Sequence, residues 1–92
     1  MANKEQMVLL KQGSQSWNAW RAAQTGAAVN LSGGALRGLD LEGVDLSSAD
    51  LRDADLRGVN LRSANLTGAH LEGANLFKAI LNDADLYEAN LS

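Results

Sequence analysis

Residues 49–76 read ADLRDADLRGVNLRSANLTGAHLEGANL, with a leucine at every fifth position and almost nothing large in between. A helix repeats at about 3.6 residues and a strand at two, so neither alone keeps a five-residue series on one face. Working outward in both directions, leucine holds positions 31, 36, 41, 46, 51, 56, 61, 66, 71, 76, 81, 86 and 91 without exception. On a helix, steps of five advance by roughly 140° net and scatter around the cylinder. On a straight strand an odd step sends successive leucines to opposite sides. Each unit must therefore hold a turn that brings the next leucine back inside.

Two residues before each leucine stands a second inward candidate: Val29, Gly34, Leu39, Val44, Ala49, Ala54, Val59, Ala64, Ala69, Ala74, Ala79, Ala84 and Ala89, all apolar or glycine. The residue just before the leucine is mostly Asp or Asn, and the two after it suit an exposed corner. Gly33, Gly38, Gly43, Gly58, Gly68 and Gly73 fall where a type II turn wants positive φ, while Lys78 and Glu88 at the same place point to a different turn there. The unit is a short strand plus a corner.

This pattern of Ala, Asp or Asn, Leu and two variable residues resembles the pentapeptide-repeat family over residues 29–92, with Gly34, Leu39, Ala35, His70 and Ile80 as departures. The resemblance implies a mainly β fold, a right-handed quadrilateral β-helix. Four pentapeptides would make each coil of about twenty residues, giving about three coils. In that register Asp never stacks on Asp, Arg52 lies over Glu72 and Glu42 over Arg62, and Arg37 over Arg57 is the one unfavourable pair. A twenty-five-residue coil also avoids stacked Asp; ten and fifteen do not. The inner columns taper, Leu39, Val59, Ala79 and Val44, Ala64, Ala84, so something other than a coil is expected against the first coil.

Residues 1–28 supply it, as an N-terminal helical cap on the 29–92 solenoid. Met7, Leu10, Gly13, Trp17 and Trp20 form an amphipathic stripe. The stripe fits one continuous helix, or two with a break near Gly13 and Ser14 or Ser16 as a fresh N-cap. Both tryptophans are read as a lid on the apolar top of the coil. The run KQGSQSWNAWR also resembles a segment that precedes the repeats in some family members.

At the other end Leu76, Leu81, Leu86 and Leu91 form a last layer with no later coil over it. A stack of this kind needs a cap or a partner. The expected partner is a second copy, joined end to end about a two-fold axis, with Phe77, Ile80 and Tyr87 helping the contact.

Composition excludes much else. The hydrophobic fraction is 46% but the aromatic fraction is 4%, so the core is built of Leu, Ala and Val; without cysteine there are no disulfides or thiolate metal sites. The start, MANKEQMVLLKQ, reads as neither a signal peptide nor a membrane span, which makes a cytoplasmic protein the default. Formal charge is −3, with +2 in residues 1–28 and −5 in residues 29–92, so direct nucleic-acid binding is not expected. His70 lacks neighbours for a metal site or a nucleophile, and Asp53, Asp55, Asp83 and Asp85 sit outside any cleft, which argues against an enzyme and against a cofactor. Arg37, Arg52, Arg57 and Arg62 read as a solvated mixed-charge face. The expected function is a non-enzymatic structural or protein-interaction module. The family resemblance adds an alternative: some members mimic duplex DNA and bind type II topoisomerases such as gyrase. About three coils carry too little net charge for that.

Overall fold

Five residues hold one tight turn and little else, and that limit shapes the molecule. In the computed structural model, which describes residues 1–92, each turn runs from a leucine to the small residue three places on. The Ala54 N–H donates to the Leu51 carbonyl at 3.1 Å, and the same bond recurs from Gly34–Leu31 to Ala89–Leu86. One residue per unit remains to pair with a neighbouring coil. The β component is accordingly a set of isolated parallel bridges, Asn30 with Asp50, Ala35 with Asp55, Asp40 with Asn60, Asp45 with Asn65, and so on to His70 with Asn90. The short strands expected from the sequence are thus single bridged residues, because the turn consumes the rest of each repeat.

Every bridge spans twenty residues, so four units make a coil and each coil lies directly on the one before. The four sides can be followed by their bridged residues: Asn30, Asp50, His70, Asn90 on the first; Ala35, Asp55, Asn75 on the second; Asp40, Asn60, Ile80 on the third; Asp45, Asn65, Asp85 on the fourth. Adjacent coils share three backbone bonds per unit. At Leu51 they are Leu51 N–H to His70 C=O at 2.8 Å, Asp53 N–H to Glu72 C=O at 2.9 Å, and His70 N–H to Ala49 C=O at 2.9 Å. Inside, Leu31 to Leu71 are all buried and stack with Val44, Ala49, Ala54, Val59, Ala64 and Ala69 as one continuous core. Burial of each such leucine is worth roughly 1.5–3 kcal/mol.

All twelve turns place their third residue in the left-handed region. Six hold glycine, but Ser48, Asp53, Ser63, Lys78, Asp83 and Glu88 adopt φ of 58–61° in the same place. The different turn type expected at Lys78 and Glu88 is therefore not found; the ladder and the packed leucine on either side impose one geometry. A side chain there costs roughly 1–2 kcal/mol, which the surrounding bonds outweigh. The Asp or Asn before each leucine shapes the corner that follows: its Oδ1 accepts the backbone N–H two residues on, at 3.0–3.3 Å, in ten of the units. This Asx arrangement steers the chain into the bend. Ala35, His70 and Ile80 cannot make it.

Two helices precede the coils, α1 at Lys4–Lys11 and α2 at Ser14–Ala23. Asn3 caps α1 by accepting the Gln6 N–H at 3.0 Å. The continuous helix does not form. Gly13 takes φ of 113°, outside the helical region, and itself stands at the N-cap of α2, so Ser14 and Ser16 lie inside that helix. No helix is long and apolar enough to cross a membrane.

Candidate functional site

The first coil has a ladder edge with no coil beneath it, and groups of the helical segment take the missing positions on two of its four sides. On the first side, Gln6 Oε1 accepts the Asn30 N–H at 2.8 Å while Gln6 Nε2 donates to the Ala28 carbonyl at 2.9 Å. The Asn3 N–H reaches the Asn30 carbonyl at 2.8 Å. On the fourth side, Asn18 Oδ1 accepts the Asp45 N–H at 2.8 Å and its Nδ2 donates to the Gly43 carbonyl at 3.0 Å. Trp17 Nε1 donates to the Asp45 carbonyl at 2.7 Å, and Arg21 reaches the Ser47 carbonyl at 3.0 Å. A carboxamide carries the donor and acceptor of a peptide group, which is why Gln6 and Asn18 can replace a strand here.

Leu10 and Trp17 are fully buried in the same cluster as the axial leucines. Met7 and Trp20 are half-buried, the two indoles lying 5.0 Å apart at 47°. Met7 presses on Gly34, where an added Cβ would come within 2.9 Å of both the Met7 sulfur and the Leu31 carbonyl. Glycine at that inner position admits the methionine. Sequence reading found the apolar stripe but missed Gln6, Asn18 and Arg21; Gln6 immediately before Met7 and Asn18 immediately after Trp17 were the available signals.

The other edge has no such treatment. Leu76, Leu81 and Leu86 are half-buried and Leu91 is exposed, while Ala74, Ala79, Ala84 and Ala89 are half-buried beside them. The backbone groups that bond upward in the lower coils have no partner here: the N–H of Leu76, Leu81, Leu86 and Leu91, the carbonyls of their alanines, and the corner N–H of Lys78, Asp83 and Glu88. Phe77 and Tyr87 project from corners at 65% and 69% exposure, and Ile80 stands on the third side at 37%. Lys78 Nζ lies 5.4 Å from the Phe77 ring centre. The residues expected at this end therefore share one edge.

Elsewhere the surface offers little chemistry. His70 Nδ1 is 3.6 Å from Glu72 Oε1, and no group of three His, Cys, Asp or Glu side chains is placed to hold a metal ion. The three surface recesses are lined by corner and helix residues, none by an axial leucine. The arginines pair along their own repeat rather than between coils: Arg52 binds Asp50 through two bonds at 2.7 and 2.9 Å, and Arg57 binds Asp55 at 2.7 and 2.8 Å. These replace the Arg52–Glu72 pair expected from stacking, because the Asx turn already brings Asp and Arg together. Each arginine, by hydrogen bonding, lowers its aspartate from 3.8 to about 2. Exposed pairs of this kind add little to stability. Between coils, Asn60 Nδ2 bonds Asp40 Oδ1 at 3.2 Å.

A twenty-residue coil of four leucine-centred turns, repeated without interruption, defines a family. The chain belongs to the pentapeptide-repeat proteins: the model of pentapeptide repeats matches residues 27–62 and 54–92, with eight copies. Its fold is similar to that of Rfr23, a pentapeptide-repeat protein of the cyanobacterium Cyanothece 51142, at 41% identity and a TM-score of 0.60, covering 66% of this chain and 40% of that one. A pentapeptide-repeat protein of the Arabidopsis thaliana thylakoid lumen is similar at 33% identity and a TM-score of 0.67, covering 68% of this chain and 43% of that one. The chain thus spans less than half the length of these two proteins. No curated protein matches it.

Proposed function

We propose that the chain is a non-enzymatic structural and protein-interaction module, a right-handed square β-helix closed at one end by residues 1–28 and self-associating end to end through its last coil. The observation that carries this reading is the contrast between its two edges. One has its backbone groups met on two of four sides by Gln6, Asn18 and Trp17, with Leu10 and Trp17 buried against the axial leucines. The other presents four leucines and unpaired ladder groups to solvent. Open ladder edges recruit further backbone, and a two-fold contact closes the assembly where a head-to-tail one would propagate. Mimicry of duplex DNA draws no support from this surface, because Asp50 and Asp55 are held by Arg52 and Arg57 on the same faces.

The test is the mass of the 92-residue chain in solution by multi-angle light scattering. Twice 9.7 kDa is expected for the parent. Leu86→Asp, which sets a charge in the open layer, is expected to give the single-chain mass. A parent that stays monomeric at high concentration, or a variant that keeps the dimer mass, overturns the reading.

A further inference from the structure

Resting on the end-to-end dimer above, we propose its register: the two-fold axis passes through the Asn82–Asp83 corner, so that the Phe77–Lys78 corner of each copy meets the partner's Tyr87–Glu88 corner. The open end is not flat. A continuous chain that climbs one coil in twenty residues rises on each side by a quarter of the ~4.8 Å strand spacing. The edge is thus a spiral ramp with one step, where Ser92 overhangs Gly73 and accepts its N–H at 3.1 Å. Two identical ramps mate flush on all four sides only when the axis runs through the step, hence also through the opposite corner, Asn82–Asp83.

In that register the Asn75 side lies on the partner's Asn90 side and the Ile80 side on the partner's Asp85 side, running antiparallel. Every side offers a leucine N–H and an alanine carbonyl. Antiparallel neighbours exchange both: Leu76 with the partner's Ala89, Leu91 with the partner's Ala74, Leu81 with the partner's Ala84, and Leu86 with the partner's Ala79.

The corner columns point the same way. Up one corner the residues are Arg37, Arg57 and Phe77, with Gly38, Gly58 and Lys78 beside them. Up the diagonal corner they are Ser47, Thr67 and Tyr87, with Ser48, Gly68 and Glu88. In the last coil alone both corners acquire an aromatic ring and a long charged side chain, the latter held at φ of 60° and 59°. The proposed axis exchanges these two corners, so each Phe77 lies opposite the partner's Glu88 and each Lys78 opposite the partner's Tyr87. Phe77 and the partner's Tyr87, and Lys78 and the partner's Glu88, are diagonal neighbours in the same corner, while at the axis Asn82 lies opposite the partner's Asp83.

The other two-fold registers fail on charge or on fit. An axis through the Asn75 and Asp85 sides leaves a one-coil gap at one side, brings the Asp83 corner onto the partner's Glu88 corner twice, and puts Asp85 on the partner's Asp85. An axis through the Phe77–Lys78 corner leaves a one-coil gap along the Asn75 and Ile80 sides and sets Lys78 and Glu88 each diagonally against its own copy. An axis through the Ile80 side brings the Lys78 corner onto the partner's Asp83 corner but touches only along Asn90.

The chain contains no cysteine, so a single introduced one reports the axis by linking to itself. Asp83→Cys, Ile80→Cys, Asp85→Cys and Lys78→Cys are each oxidised and read by non-reducing electrophoresis. Asp83→Cys is expected to form the covalent dimer and the other three to stay single. Self-linking at Ile80, Asp85 or Lys78 instead, in a chain that still has the dimer mass, overturns the register alone; a monomeric parent overturns the dimer itself. Independently, Lys78→Glu and Glu88→Lys are each expected to weaken association about tenfold or more, and the double variant to recover it. A double variant as weak as the singles refutes the pairing.

Discussion

The carboxamide of Gln6 is a substitute for a strand, and its removal can be costed from the structure. Gln6 is 8% exposed, accepts the Asn30 N–H at 2.8 Å and donates to the Ala28 carbonyl at 2.9 Å. Gln6→Met keeps the length and the apolar stem but strands one donor and one acceptor. Each unmet buried polar group costs about 1–3 kcal/mol, so a loss of about 2–4 kcal/mol is expected, with a fall in melting temperature of about 8 °C or more. Gln12→Met, on the exposed end of the same segment, is the control and should stay within about 0.5 kcal/mol of the parent. Urea unfolding followed by tryptophan fluorescence reads the capped end directly, since Trp17 and Trp20 both lie there, while far-ultraviolet dichroism reads the coils. If Gln6→Met also lies within about 0.5 kcal/mol of the parent by both probes, the side chain is not serving as a ladder partner and the reasoning fails.

Two further outcomes follow from the coils. Gly58 has φ of 68° with open space around a notional Cβ, so Gly58→Ala should lose about 1 kcal/mol from backbone strain alone; Ser63→Gly, at φ of 59°, should gain up to about 1 kcal/mol after the flexibility of glycine is allowed for. Gly73→Ala should cost about as much as Gly58→Ala, because the exposed Asp53 carboxylate near its Cβ can swing aside. Thermal melts check these three, and a reversed sign at Ser63 would count against the left-handed turn. For pH, Asp50 and Asp55 titrate at about 2 when folded, below the usual value near 3.8, so their contribution is complete above about pH 4 and is lost as pH falls toward 2. Carbon-detected carboxyl titration should show this, with Arg52→Gln returning Asp50 toward 3.8; an unshifted Asp50 in the parent refutes the pairing.

The coil length was legible because a period of five combined with unmixed inner columns leaves few stackings, and twenty residues was among them. The choice of twenty, with Leu51 over Leu71, rests on the family resemblance, because a coil of twenty-five also avoids stacked Asp. The turns were only half legible: glycine advertises positive φ, but Lys78 and Glu88 adopt it under compulsion from the ladder on either side, and nothing in a lysine or glutamate announces that. The ion pairs were misread for a related reason. Stacking by twenty ignores the Asx bond, which draws Arg52 to Asp50 within its own repeat. At the capped end, hydrophobic spacing located Leu10 and Trp17, whereas the polar contacts of Gln6 and Asn18 depend on atoms of the first coil that only the fold brings near. The open edge was readable from the leucine series; the ramp that shapes it comes from chain continuity between bridged coils.

The twenty-residue register also governs which changes of length this architecture absorbs. Loss or gain of five residues swings everything downstream through a quarter revolution, moving each outward group to a neighbouring face while the leucines stay on the axis. Loss or gain of twenty alters height and re-aims nothing. A lineage built on such a chain therefore has two separate dials, one for reach and one for bearing, and both click in whole repeats.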